Sequence, residues 1–248
     1  MKPIFIVLLF CLGILYNSCN KESTDAASIQ QGAGGSTAKF TITGNYLYVV
    51  DHTSLKAFDI TDQAHPILKT KTELGLNIET IFPYKDKLFI GSSSSMYIYS
   101  LTDPSKPSRL AKADYTIRMS CDPVVARDSV AYATLRAASV CGGTASALVV
   151  YNIKNVSAPA LMSTHSLFTP FGLGTKDSAL YVCEAQSGLR VYNIRNAYNP
   201  EFRTTINGHT FYDVIPYGDI LICQVSDGFA MYDISNSLNP VYLSKVLN

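Results

Sequence analysis

From Lys39 onward the chain runs in short apolar stretches separated by polar turns, and the pattern returns at a fixed interval. The first copy reads Leu47-Tyr-Val-Val-Asp51, then Leu55-Lys-Ala-Phe-Asp-Ile60, then Asp62-Gln-Ala-His-Pro66. Prolines close the copies at Pro66, Pro107, Pro159, Pro200 and Pro240, in steps of 41, 52, 41 and 40 residues. The aromatic residues Phe58, Tyr99, Tyr151, Tyr192 and Tyr232 mark the second apolar run of each copy and give the same steps. Two independent anchors with one spacing identify a true repeat, and a period in the forties belongs to solenoids and propellers.

Turn residues divide each copy into four strands, A to D. The sequence predicts A at 40–43, 78–83, 124–126, 171–175 and 211–216, and B at 47–51, 88–91, 130–134, 180–183 and 220–225. It predicts C at 55–60, 96–101, 148–153, 189–194 and 229–234, and D at 67–72, 108–113, 160–165, 201–206 and 241–247. Strands B and C are apolar at nearly every position, as in Leu148-Val-Val-Tyr, so their sheets must be covered on both faces. Strand D alternates, with Lys69 and Lys71 between apolar neighbours, as an edge facing water does. Four-stranded sheets that shield one another and keep one polar edge each are propeller blades. The predicted fold is all-β: a five-bladed β-propeller of antiparallel blades over 38–248, the repeats falling at about 38–77, 78–117, 118–169, 170–210 and 211–248.

Asp62, Asp103, Asn155, Asn196 and Asn236 each stand four residues before the closing proline, where a side-chain oxygen accepts a bond from the backbone two residues on. Amides replace carboxylates in three of these copies, which argues against calcium.

The segment before the repeats has a different texture. Lys2 precedes an apolar run from Ile4 to Leu15, long enough for a secretory leader and too short to span a bilayer. Ser18-Cys19 follows. This stretch resembles a bacterial lipoprotein signal, residues 1–18, in the looser form usual among the Bacteroidetes. The resemblance implies acylation of Cys19, an outer-membrane lipoprotein that is surface-exposed or faces the periplasm, and membrane contact through the lipid anchor only. Residues 19–37 lack aromatics and read as a disordered tether, of roughly 20–25 Å for a soft chain of that length.

Composition adds limits. Hydrophobic residues make up 47% and charged residues 16%, enough apolar surface for a sizeable core. Removal of Lys2 with the leader leaves 19 basic and 19 acidic groups, with no basic cluster to bind phosphates, so nucleic acid is excluded as a partner. No phosphate-cradling glycine loop, nucleophile elbow or zinc spacing occurs, and neither cofactor nor metal is expected.

The repeats resemble the LVIVD repeat of bacterial and archaeal cell-surface proteins, through Leu-Tyr-Val-Val-Asp, Gly188-Leu-Arg-Val-Tyr-Asn-Ile194 and Gly228-Phe-Ala-Met-Tyr-Asp-Ile234. That family implies a propeller at the cell surface and supplies no defined activity. Its repeats often open strand A with Asp, eight residues before strand B; Asp122 before Val130 and Asp213 before Leu221 fit that count, with Lys39, Thr80 and Gly172 in the other copies.

The third copy carries about eleven extra residues between strands B and C, at 135–146, where a function-specific graft would sit. Cys141 lies in it and Cys121 just before strand A of the same blade; both belong at one rim, and a disulfide between them is expected. Cys183 and Cys223 read as buried small hydrophobes. The same rim is expected to gather Arg118, Asp122, Arg136, His165, His209, Tyr212 and Asp213 as a binding platform for a protein or glycan partner, on a monomer. Arg190 reads as a blade-packing or surface residue. The alternative is a glycoside hydrolase or other hydrolase using Glu79, Asp122 and Asp213 at the central channel. A metal site from Asp122, His165, His209 and Asp213 would have suitable ligand types and no suitable spacing.

Overall fold

The computed structural model describes residues 35–115, 123–137 and 145–248. Blade 1 is Phe40–Thr43 (β1), Tyr46–Val50 (β2), Ser54–Asp59 (β3) and Ile67–Glu73 (β4). Blade 2 is Ile78–Tyr84 (β5), Lys87–Ser92 (β6), Ser95–Ser100 (β7) and Ser108–Asp114 (β8). Blade 3 is Val124–Arg127 (β9), Val130–Leu135 (β10), Ser146–Asn152 (β11) and Ala160–Leu167 (β12). Blade 4 is Leu173–Lys176 (β13), Ala179–Cys183 (β14), Leu189–Asn193 (β15) and Glu201–Ile206 (β16). Blade 5 is Phe211–Tyr217 (β17), Ile220–Val225 (β18), Gly228–Asp233 (β19) and Val241–Leu247 (β20). Each blade is a four-stranded antiparallel sheet in sequence order, so the fold is the five-bladed β-propeller that the repeat predicts.

Turn chemistry sets the register. Every A-to-B turn holds one residue in the left-handed region: Gly44, Lys85, Asp128, Asp177 and Gly218, with φ between 49° and 57°. Four of the five C-to-D turns carry the expected Asx bond, as Ala64 N to Asp62 Oδ1 at 3.0 Å and Ser157 N to Asn155 Oδ1 at 3.1 Å. The side chain three residues earlier repeats the device, as Thr61 N to Asp59 Oδ1 at 2.9 Å and Ser235 N to Asp233 Oδ1 at 2.8 Å.

Neighbouring blades meet through apolar faces, and among the described residues four such cores form, at the joints 1–2, 2–3, 3–4 and 4–5. A strand-B tyrosine pins three of the joints to the C-to-D turn of the next blade. Tyr48 donates to Pro104 O at 2.9 Å, Tyr132 to Ala197 O at 2.9 Å and Tyr181 to Ser237 O at 2.6 Å. Phe89 and Ile222 hold that position in blades 2 and 5. Cys183 and Cys223 are free thiols buried in the 4–5 core, and burial pushes both thiols up.

The seam from blade 5 back to blade 1 is different. Phe229 occupies the strand-C position of Leu55, Met96, Leu148 and Leu189, which are at most 1% exposed, yet it is 45% exposed. On the other side of the seam Phe40 and Ile42 are exposed and Leu47 is half-buried, although its counterparts Leu88, Ala131, Leu180 and Leu221 are fully buried. Across this seam a polar latch forms. Ser36 and Thr37 of blade 1 reach the inner strands of blades 5 and 4, where Ser36 Oγ donates to Asp213 Oδ1 at 3.2 Å and accepts from Leu173 N at 2.8 Å. Residues 35–37, assigned to the tether on composition, therefore belong to the folded unit: Gly35 and Ser36 are buried, and Ser36 and Thr37 both donate to the Asp213 carboxylate.

Candidate functional site

The rim made by the B-to-C hairpins and D-to-A loops carries a cavity of about 370 Å³ at the mouth of the central channel. Blade 1 contributes Lys39 and His52, blade 2 Glu79 and Thr80, blade 3 Pro123 and Arg136, and blade 4 Pro170 and Phe171, with Thr37 beside them. Each side chain is aimed by local backbone. Glu79 is the extra residue of a bulge between Ile78 and Thr80, which turns it out of the ladder. Arg136 follows directly on β10, the start of the blade 3 insertion, and its guanidinium lies 4.0 Å from the centre of the Phe171 ring. Tyr212, the matching bulge residue of blade 5, meets Phe171 edge-on at 5.2 Å and accepts Gly172 N on its carbonyl at 2.8 Å.

Among the described residues Arg136 Nε is buried without a hydrogen-bond partner, and Arg136, Lys39 and Glu79 join no ion pair. Many other basic side chains are matched: Lys56 with Asp51 at 2.8 Å, Lys112 with Asp114 at 2.7 Å, Lys71 with Glu73 at 2.7 Å. The cavity thus presents two cations and one carboxylate beside a flat apolar wall.

Asp213 does not face this cavity as a free carboxylate. It accepts Thr37 Oγ1 at 2.5 Å, Val214 N at 2.9 Å and Ser36 Oγ at 3.2 Å. Gly35 and Gly172 leave it room: a Cβ on either would stand 2.0 Å from an Asp213 carboxylate oxygen. Burial raises its carboxyl above the ordinary 3.8, with the bonds from Thr37, Val214 and Ser36 pulling the other way. The count that set Asp122 level with Asp213 is corrected by the register. Arg127 pairs with Val130 as Thr43 pairs with Tyr46, so Val130 matches Tyr46 rather than Leu47, and Pro123 holds the Asp213 position. An apolar Tyr46 before Leu47 hides this in the sequence.

The remaining expectations separate. His165 lies not on the rim but within β12, the outer strand, where it shares a 3.1 Å bond with Ser163 Oγ and burial lowers its pKa. His209 lines a second rim cavity of about 400 Å³ with Gln186, Thr210 and Asp227, and its ring lies 5.9 Å from that of Phe211. Arg118, Asp122, Cys121 and Cys141 lie outside the described residues, as do Cys19 and the rest of 1–34. Among the described residues no three His, Cys, Asp or Glu side chains group as metal ligands.

Sequence reasoning missed Phe171 as a site wall and Glu184 altogether. Glu184 is fully buried, pairs with Arg190 at 2.6 Å and accepts Phe168 N at 2.8 Å, tying the rims of blades 3 and 4. The guanidinium of Arg190 also lies over the rings of Phe168 and Phe202, at 5.1 and 5.7 Å. A single Glu in a hairpin gives no sign of that pairing; the only hint is the charged Arg190 inside an apolar strand.

The model of the LVIVD repeat family matches residues 34–73. No curated protein matches the chain. Among solved structures, the computationally designed Ika8 protein is similar over 84% of this chain and 60% of its own, at 12% identity and a TM-score of 0.62. A functionally unknown protein from Desulfotomaculum acetoxidans is similar over 82% and 66%, at 15% identity and 0.66. The periplasmic gluconolactonase of Pseudomonas aeruginosa is similar over 82% and 68%, at 15% identity and 0.61. The chain thus spans less than two thirds of the first two. At these identities the likeness speaks for the fold alone, and with the repeat match it makes this chain a repeat β-propeller protein.

Proposed function

We propose that the chain is a lipid-anchored, extracytoplasmic recognition module that offers the mouth of its propeller axis to a protein or glycan partner. The observation that carries this reading is the axial cavity itself: walls from four blades, Arg136 and Lys39 without an ion pair among the described residues, and the Phe171–Tyr212 aromatic pair. Ready-formed concave sites with a few polar groups on an apolar wall are the usual form of a binding site. Membrane attachment rests on the leader and on Cys19.

Two measurements test it. Fatty-acid labelling of cells should tag the chain, and Cys19→Ser should abolish the label; an unlabelled wild type removes the anchor. On a glycan and peptide array, the protein should bind a defined set that Lys39→Glu with Arg136→Glu eliminates at unchanged thermal stability. Binding indifferent to both changes would move recognition away from the axis.

A further inference from the structure

We propose that the axial cavity takes an acidic sugar: a monosaccharide-sized, carboxylate-bearing, hydroxylated ring, free or at the end of a glycan. This rests on the recognition reading and names its ligand. Four features of the cavity converge on it.

The first is charge. Lys39 and Arg136 share the cavity with Glu79, so it has one cation in excess among the described residues, and neither cation is matched by an ion pair there. The second is the state of Arg136. One face of its guanidinium is covered by Phe171 at 4.0 Å, while its Nε is shielded from water and unpartnered among the described residues. A ligand therefore meets the guanidinium through its two terminal nitrogens, whose N–H groups form a fork that takes a carboxylate with two parallel bonds. The third is shape. Pro170 and the Phe171 ring form a flat apolar wall suited to the C–H face of a sugar ring, and about 370 Å³ holds one such ring rather than an extended chain. The fourth is Glu79. A carboxylate that its bulge turns into the cavity accepts hydroxyl protons and repels a doubly charged phosphate more than a singly charged carboxylate.

A neutral sugar would leave the excess positive charge of Lys39 and Arg136 uncompensated, and an apolar ligand would strand both cations. Calorimetric titration of the full chain in detergent, with glucuronate, galacturonate, glucose and glucose 6-phosphate, tests this. At least one uronate should bind ten-fold or more tighter than glucose, and raising the salt should weaken it. Arg136→Gln should remove uronate binding without moving the thermal midpoint, and Arg136→Lys should restore part of it. The proposal is overturned if no uronate binds at millimolar concentration, if glucose binds as well, if glucose 6-phosphate binds tighter, or if Arg136→Gln changes nothing. An array partner that survives Arg136→Gln and is not displaced by uronate would keep the recognition reading and reject the acidic sugar.

Discussion

A single carboxylate, Asp213, is buried at the head of β17 and is the acceptor that draws residues 35–37 into the fold. Its raised pKa has a thermodynamic sign. In the window just above the ordinary 3.8 the folded chain holds the Asp213 proton that the unfolded chain has lost. This contribution to stability is therefore complete at pH below 3.8 and declines as pH rises through the folded value. Asp213→Asn lacks it. Urea unfolding from pH 3.5 to 7 should show the stability of the wild type, relative to Asp213→Asn, falling as pH rises; a flat or rising difference would mean that the donors, not desolvation, govern this acid. Gly172 tests the same spot sterically. Its added Cβ would meet Asp213 Oδ1 at 2.0 Å and Asp213 Cα at 2.8 Å, so Gly172→Ala should cost about 1–3 kcal/mol as an overpacked site does. An unchanged unfolding midpoint would show that Asp213 moves aside freely.

Between blades, the strand-B tyrosines do what apolar faces alone do not: they fix one sheet to the turn of the next. Tyr132→Phe and Tyr181→Phe each remove one hydroxyl bond and leave the ring in place, so each should lower unfolding free energy by about 0.5–1.5 kcal/mol with the denaturant slope unchanged. Because the two bonds belong to separate joints, the double variant should lose their sum. Strand ends were readable to within two residues, because Asx-x-x-x-Pro fixes the C-to-D turn and apolar runs fix strands B and C. Register in blade 3 was not, since an apolar residue precedes Leu47 and the left-handed turn residue there is Asp128 rather than Gly. The latch was hidden for another reason: Gly35-Ser-Thr37 has the composition of a linker and is held by Asp213 and Leu173, partners 176 and 137 residues away. Arg136 was readable as part of the insertion, whereas its Phe171 support depends on a contact between blades that no local pattern encodes.

Around the whole ring, five near-identical units make four apolar joints and one that is held by a polar latch, so equivalent residues should differ in what they contribute. Leu189 and Phe229 share one position in strand C, the first fully buried in the 4–5 core and the second 45% exposed at the seam. Truncating a fully buried leucine costs about 2–5 kcal/mol and a fully buried phenylalanine about 3–5. Leu189→Ala should fall in that range, while Phe229→Ala, which removes a ring already half in water and opens no closed cavity, should cost about 1 kcal/mol or less. Denaturant titration of the two variants side by side decides the matter. Comparable losses would mean that blade 5 meets blade 1 in solution through an apolar joint like the other four; the expected inequality makes the seam the weakest joint of the ring, with the Asp213 latch carrying its closure. In that case Phe229→Ala combined with Asp213→Asn should lose more than the sum of the two, because each leaves the other as the remaining link between the first and last blades.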